Sequence, residues 1–224
     1  MGSTQQRRSP VHELLSAWQP KWAILADAPI ALRFTSADIE AQAIKTLGLC
    51  DVSALPKLGV KGFSAGAWLS EHYVDVPPAT FETRPLADGG VVARLGADEF
   101  LLESGVEPMI VPDLHASIGL AAEGTYRVER QDGTFLLVGE KAVDVMSQIC
   151  GIDIERAAPH HLIMTRMAGV TCGILPEPKH DTLAYRLWHD PTDSIYLWEQ
   201  LVQITGELGG TIVGAACFYP QLLS

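Results

Sequence analysis

The sequence predicts an α+β protein built from two lobes of antiparallel sheet with packed helices. Residues 58–69 and 135–150 share the order strand, glycine, helix, which indicates one structural unit used twice. Alternating apolar residues in 91–102 predict a hairpin, and residues 190–208 carry the strongest helix signals of the chain. Strands that return through short turns, with helices between them, favour an α+β fold.

Composition and charge restrict the class of protein. The chain has 224 residues, of which 47% are hydrophobic and 19% are charged, so a folded core is expected and disorder is not. Its 27 acidic and 16 basic residues give a net charge of −11. Nucleic acids and anionic membranes are bound by basic surfaces, so this balance argues against both as partners.

The cysteines and the lack of long apolar runs predict a location. Cys50, Cys150, Cys172 and Cys217 form no Cys-x-x-Cys pair, and each has apolar neighbours. Buried free thiols suit a reducing compartment. No stretch approaches the roughly 18 consecutive apolar residues of a membrane span, and no signal-peptide pattern follows the N-terminus. We therefore expect a cytoplasmic protein.

The N-terminal part of the chain predicts two helices around an extended segment. A short helix begins at Ser9–Pro10, and the apolar residues 23–34 are extended. A second helix, capped by Thr35 or Ser36, runs to Leu47. Its apolar stripe consists of Ile39, Ala43, Ile44 and Leu47.

The middle of the chain predicts a strand, a helix and a hairpin before a long connection. Residues 58–63 alternate as a half-buried strand does, and Ser64 caps a short helix. The hairpin strands are 91–95 and 100–102. Residues 104–124 lack periodicity, and a structureless connection of about 20 residues is unusual inside one lobe. We therefore expect this segment to connect two lobes.

The C-terminal part predicts a second series of strands and helices. Residues 126–138 resemble a hairpin that turns at Asp132–Gly133, because Asp-Gly is a strong hairpin signal. A helix at 140–150 and strands at 162–167, 170–175 and 183–188 follow. Asp190 and Pro191 then begin the clearest helix, whose apolar face contains Trp198. Residues 211–218 form a last apolar strand.

These elements divide the chain into an arm, two lobes and a connector. The predicted bounds are 1–22 for the N-terminal arm, 23–103 for the first lobe, 104–124 for the connector and 125–224 for the second lobe. Each predicted lobe is long enough to enclose a core of its own.

Several groups of residues resemble a known family. The order of elements between Asp51 and Leu102 resembles that of the folate-binding aminomethyltransferases, which include the T-protein of the glycine cleavage system. Three later groups of residues resemble the gamma subunit of heterotetrameric sarcosine oxidase. They are Arg127-x-x-x-x-x-Gly133-x-x-x-Leu137-x-Gly139, Thr165-Arg-Met-Ala-Gly-Val170 and Tyr196-Leu-Trp-Glu-Gln-Leu201. A related gamma-type subunit serves N-methylglutamate dehydrogenase, and the residues do not separate the two.

The resemblance implies a fold, a setting and partners. The fold is that of the aminomethyltransferases. The setting is a multi-subunit flavoenzyme that oxidises an N-methyl amine such as sarcosine and passes the one-carbon unit to tetrahydrofolate. FAD, FMN, NAD and tetrahydrofolate are expected in partner subunits and no cofactor in this chain. The expected partners are the alpha, beta and delta subunits.

The resemblance also implies that this chain lacks a catalytic residue. Aminomethyltransferases use an aspartate soon after a Gly-Gly-Val strand to handle a proton of the folate-bound one-carbon unit. Here Ala93 or Arg94 occupies that place, and neither is a general base near neutral pH. Asp88 and Asp98 flank the strand and are expected to cap turns. The sequence contains no glycine-rich phosphate-binding loop, so no nucleotide site is predicted.

Other candidate residues favour structural roles. His160, His161, His180 and His189 lack the spacing of zinc ligands, so they are expected at the surface or at an interface and no metal site is predicted. For Arg166, in an apolar strand, a structural ion pair is favoured over an anchor for a partner carboxylate or a folate tail.

The connector is the candidate contact surface. It is apolar with few charges, and its candidate partner-contact residues are Met109, Val111, Leu114 and Ile118. An exposed apolar segment of this kind is typical of interaction surfaces. Packing across the seam between the lobes is the alternative.

Two functions are consistent with the sequence. The first is an accessory, non-catalytic gamma-type subunit of a sarcosine-oxidase-like complex. The alternative is a free-standing folate-binding or one-carbon transfer protein.

Overall fold

Each of the two units of the chain is built around its own sheet. The computed structural model describes residues 7–107, 110–118, 123–179 and 182–223. Unit 1 contains the residues up to Ala54, Asp132–Pro159 and Ile163 onward, and unit 2 contains Leu55–Gln131 and His160–Leu162. The predicted bounds at 103 and 125 differ from these, because the chain leaves unit 1 after Ala54 and returns at Asp132.

The helices and strands are as follows. The helices are α1 (His12–Ser16), α2 (Ala37–Thr46), α3 (Ala65–Glu71), α4 (Ile110–Ser117), α5 (Ala142–Ile149) and α6 (Ser194–Glu207). The strands are β1 (Lys21–Leu25), β2 (Ala28–Arg33), β3 (Gly48–Asp51), β4 (Lys57–Lys61), β5 (Thr83–Pro85), β6 (Val91–Gly96), β7 (Glu99–Glu103), β8 (Tyr126–Glu129), β9 (Gly133–Val138), β10 (Ile163–Met167), β11 (Val170–Lys179), β12 (Thr182–His189) and β13 (Thr211–Ile212).

Unit 1 contains a six-stranded sheet with the strand order β10-β11-β12-β9-β3-β13. Its pairings are antiparallel except that of β13, which runs parallel to β3. Phe135 and Leu137 of β9 pack in one core with side chains of α5 and α6, including Met146 and Trp198. Strand and helix therefore bury their apolar faces against each other, as expected for an α+β layer.

Unit 2 contains a five-stranded antiparallel sheet with the order β5-β6-β7-β4-β8. Leu58 and Val60 of β4 and Phe100 of β7 form its core with Trp68 and Leu69 of α3. The hairpin predicted from alternating apolar residues is β6–β7, with Val92 opposite Leu102. This part of the sequence-based prediction is confirmed.

The hairpin predicted at 126–138 is wrong. β8 pairs with β4 in unit 2, whereas β9 pairs with β12 and β3 in unit 1. The Asp132–Gly133 dipeptide is where the chain enters unit 1. A Cβ atom at Gly133 would clash with the imidazole of His189, so close packing, and not a turn, requires glycine here.

The turn between β10 and β11 agrees with its prediction. Ala168 and Gly169 have φ angles of 49° and 86°, the left-handed conformations that a two-residue hairpin of type I′ requires. The last predicted strand is shorter than expected, since β13 stops at Ile212 and a 3₁₀ turn covers Ala215–Cys217.

The apolar stripe predicted for α2 is partly wrong. Ser36 is the N-cap and accepts a hydrogen bond from the Ile39 amide, as expected. Ile39, however, is exposed, and the buried residues of α2 are Glu40 and Ala43. A carboxylate therefore occupies the inward position, where its partners are backbone amides of other segments.

Replacing Trp198 with alanine should lower the free energy of unfolding by about 3–5 kcal/mol, as loss of a buried aromatic side chain does. Trp198 is 3% exposed, and its ring meets that of Phe135 edge-on at 5.0 Å between centroids. Urea unfolding measures the change. Tyr196→Ala, on the exposed side of the same helix, is the control and should change stability by less than about 1 kcal/mol. A loss that small at Trp198 would contradict its burial.

Candidate functional site

Strand β6 carries the position at which the resemblance places a catalytic aspartate. Ala93 is buried, opposite Leu101 of β7 and Thr83 of β5. Arg94 follows it and points to the other face of the sheet, because side chains alternate along a strand. Ala93 has no group that can take a proton, so it performs no acid–base chemistry.

Arg94 is bonded to the backbone around it. Its guanidinium donates to the carbonyl oxygens of Pro77 at 3.2 Å and Pro78 at 2.9 Å, and also to those of Gly96 and Ala97. The guanidinium carbon lies 5.5 Å from the centroid of the Phe100 ring. These contacts hold the loop at Pro77–Pro78 against the β6–β7 hairpin. The arrangement is structural, since each donor is aimed at a backbone carbonyl.

Asp88 is buried and joins two segments of unit 2. Its carboxylate accepts hydrogen bonds from the Gly90 amide at 2.8 Å, the Ser104 hydroxyl at 2.8 Å and the Ile110 amide at 3.0 Å. The Ser104 oxygen accepts in turn from the Val111 amide at 3.1 Å. Asp88 and Ser104 thus bind amides at the N-terminus of α4 that have no partner within the helix.

The connector predicted without regular structure contains α4. Val111 and Leu114 are buried in the core of unit 2, and Ile118 packs partly buried against it. The side chains of Val111 and Leu114 therefore lie largely inside the core of unit 2. A contact of Val111, Leu114 or Ile118 with a partner stays a prediction. Met109 lies outside the described residues.

Arg166 is exposed on the edge strand β10. It is opposite Thr171, and its side chain shares a face with that of Met164, which is also exposed. The structural ion pair favoured from the sequence is not found among the residues that the structure describes. The guanidinium is accessible, and its role as a partner anchor stays a prediction.

The histidines do not form a metal centre in the described part of the chain. His189 is buried, with Nε2 2.8 Å from the Ser194 hydroxyl and its ring 4.4 Å from that of Phe135. Its predicted place at the surface or at an interface is therefore wrong. His160 and His161 are exposed, and His180 lies outside the described residues.

Two buried ion pairs among the described residues were not predicted from the sequence. In unit 2 the Lys57 ammonium lies 3.2 Å from the Glu103 carboxylate, with the two side chains 2% and 0% exposed. In unit 1 the Arg186 guanidinium lies 2.8 Å from Glu177 and 3.5 Å from the Tyr219 hydroxyl. The sequence did contain one indication of the second pair, since Arg186 is a charged residue in the middle of an apolar strand. Both pairs compensate charge within a core.

All four cysteines are free thiols. Burial, helped by the neighbouring Cys150 and Asp193, raises the pKa of Cys172 to about 12. Burial also raises the pKa of Cys217 to about 12, with a further contribution from its hydrogen bond to the Glu40 carboxylate. Thiols that stay protonated at neutral pH are poor nucleophiles, so neither has the properties of a catalytic cysteine.

Similar proteins were found by sequence and by structure. No family model matches the sequence. A curated aminomethyltransferase from Saccharopolyspora erythraea is 23% identical over 225 residues, which cover 94% of this chain and 61% of that protein. The chain thus spans about three fifths of the length of the curated relative it matches.

The solved structures decide the fold. The glycine cleavage system aminomethyltransferase T from Bartonella henselae superposes with a TM-score of 0.77 at 16% identity, over 95% of this chain and 61% of that one. This chain has the aminomethyltransferase fold. A chain of the heterotetrameric sarcosine oxidase from Corynebacterium sp. U-96, solved with pyrrole 2-carboxylate, superposes with a TM-score of 0.67 at 21% identity, over 92% and 98% of the two chains.

These comparisons confirm the resemblance inferred from the sequence at the level of the fold. In the described part of the chain, no helix is both long and apolar enough to span a bilayer.

Replacing Arg94 with methionine should lower the free energy of unfolding by about 2–3 kcal/mol, because hydrogen bonds from a charged group are lost. Methionine keeps the unbranched packing of the side chain, so the change isolates the guanidinium. Thermal and urea unfolding measure it. Arg166→Met is the matched control and should change stability by no more than about 0.5 kcal/mol. Equal effects of the two substitutions would contradict a structural role for Arg94.

The free energy of unfolding should fall as the pH rises from 9 towards 12. Cys172 and Cys217 titrate near 9.0 when unfolded and near 12 when folded, so above pH 9 the unfolded chain loses protons that the folded chain keeps. Cys172 contributes a slope of up to about 1.4 kcal/mol per pH unit, and the less buried Cys217 contributes less. Urea unfolding at several pH values measures the slope. Cys172→Ala should make it shallower, and an unchanged slope would contradict the shift at Cys172.

Proposed function

We propose that this protein is an accessory, non-catalytic subunit of a multi-subunit flavoenzyme that oxidises an N-methyl amine such as sarcosine. The partner subunits, of the alpha, beta and delta types, hold FAD, FMN, NAD and tetrahydrofolate and carry out the oxidation and the one-carbon transfer. The same role in an N-methylglutamate dehydrogenase complex fits the chain equally well.

The observation that carries this proposal is the composition of strand β6. The aspartate position of the aminomethyltransferases is taken by Ala93, which cannot titrate, or by Arg94, whose donors are aimed at backbone carbonyls. A fold that normally supplies a proton acceptor here supplies none. Retention of the fold without this group favours a role in assembly.

The extent of the structural likeness supports the same proposal. The chain covers 98% of the matched chain of the heterotetrameric sarcosine oxidase but only 61% of the aminomethyltransferase T. A protein that matches nearly the full length of a chain from a hetero-oligomer is a reasonable candidate for a similar place in such a complex.

A free-standing folate-binding or one-carbon transfer protein is the second candidate. It is favoured by the higher TM-score of 0.77 to aminomethyltransferase T, against 0.67 to the oxidase chain. The composition of strand β6 weighs against transfer chemistry, although it does not prevent folate binding.

Purification from the native source tests the first proposal. At native expression levels the protein should co-elute with larger chains that absorb at flavin wavelengths, whereas the recombinant chain alone should be colourless. In the native complex, Arg94→Lys should leave kcat per flavin unchanged even where the yield of complex falls. A native protein that elutes alone would contradict the proposal.

Calorimetry separates the two candidates. The isolated chain, titrated with tetrahydrofolate, should give no binding heat if the folate site belongs to partner subunits. Tight binding by the isolated chain, together with elution as a free monomer, would establish the second candidate instead.

A further inference from the structure

A groove of about 610 Å³ lies on unit 2, between the end of α3, the turn at Pro85–Ala87 and α4. Its floor is formed by apolar side chains that are themselves largely buried, among them Val74, Leu86 and Leu114. This volume is in the range of about 300–1,000 Å³ that is typical of binding clefts. Unit 2 thus presents an apolar depression that its own core does not fill.

The charged groups of the groove are acidic. Glu71, Asp75 and Asp113 line it and are exposed, and the described residues that line it include no lysine or arginine. Asp75 lies 3.7 Å from the nearby Arg84, which is also 3.5 Å from Glu82. Within the described part of the chain, Glu71 and Asp113 have no ion-pair partner.

Two further polar side chains of the groove make hydrogen bonds to backbone carbonyl oxygens of their own helices. His72 Nδ1 lies 2.8 Å from the Trp68 carbonyl oxygen, and the Ser117 hydroxyl donates to the Asp113 carbonyl oxygen at 2.8 Å. A small-molecule site needs a few convergent polar groups that orient the ligand. This groove instead has an apolar floor with charge at its rim, which is the anatomy of a protein interface.

Tyr73 stands at the edge of the groove with 99% of its surface exposed. Its φ angle of 61° lies in the left-handed region, which is unfavourable for a tyrosine. Exposed tyrosines are enriched among the residues that dominate interface energies. A strained backbone that holds an aromatic ring in solvent is consistent with a contact made in the assembled state.

We infer that this groove docks a segment of a partner subunit that presents apolar side chains flanked by lysine or arginine. The inference rests on the proposed function, since it names the surface through which an accessory subunit joins its complex. The apolar side chains fill the floor, and the basic residues pair with Glu71 and Asp113. A chain with a net charge of −11 also attracts such a segment at long range.

Two substitutions at exposed positions of the groove test the inference without disturbing the core. Ala87→Arg places bulk and positive charge at the turn, and Asp113→Lys reverses a rim charge. The probe is the set of flavin-bearing chains that co-purify with the wild-type protein, separated from it and recombined. Each substitution should weaken reassembly at least tenfold. Raising the NaCl concentration should weaken wild-type reassembly more than that of Asp113→Lys.

The control for charge reversal is Asp38→Lys. Asp38 is an exposed acid in the first turn of α2, as Asp113 is in α4, but it lies in unit 1 and does not line the groove. It should reassemble like the wild type. Unfolding curves of every variant confirm that the chains are folded before binding is compared.

Tyr73→Gly distinguishes an interface role from a structural one. Glycine adopts the left-handed conformation freely, so the unfolding midpoint should not fall, whereas reassembly should weaken because the aromatic contact is lost. If the wild type assembles with its partners and the groove variants assemble equally well, the inference is overturned and the proposed function stands. A wild type without flavin-bearing partners would overturn both.

Discussion

The buried carboxylate of Glu40 connects the segment after β2 to the C-terminal segment within unit 1. One oxygen accepts hydrogen bonds from the amides of Phe34 at 2.6 Å and Thr35 at 2.9 Å, just after β2. The other accepts from the Gly214 amide at 3.1 Å and the Cys217 thiol at 3.3 Å, near the C-terminus. Each buried donor left without a partner costs about 1–3 kcal/mol. The place of α2 beside the C-terminal segment therefore depends on this one side chain, which is fully buried.

In unit 2, Asp88 likewise accepts hydrogen bonds from separate segments. The buried acidic residues described here therefore stabilise the fold of both units. Asp88 joins the turn before β6 to the start of α4, while Glu103 and Glu177 neutralise buried basic groups. A carboxylate committed to several donors or to a cation has no proton-transfer role unless a reacting group displaces its partners. On β6, Arg94 likewise serves the fold, since its guanidinium donates four hydrogen bonds to backbone carbonyl oxygens around it.

The sequence predicted the elements whose signals are local. The β6–β7 hairpin, the β10–β11 turn and α6 each depend on alternation, turn residues or caps within a few residues. The failures involve distant partners. Burial of Glu40 depends on Gly214, which lies 174 residues further along the chain, so no local pattern could identify it. The helix α4 was missed because residues 104–124 lack clear periodicity. Its Pro112 lies in the first turn, where proline is tolerated because its missing amide would have had no intrahelical partner.

The sequence predicted that a catalytic aspartate is missing from β6, but it did not predict the groove on unit 2. The resemblance to the aminomethyltransferases implies that Ala93 or Arg94 stands where an aspartate is expected, but the sequence does not reveal what Arg94 binds. Residues 104–124 were expected to connect two lobes, whereas their described part lies within unit 2 and contains α4. Val111 and Leu114 face inward because α4 is amphipathic. What α4 leaves accessible is the wall of a groove, together with residues contributed by α3 and by the β5–β6 turn. Such a surface exists only after three separate segments have packed, so no local pattern in the sequence could identify it.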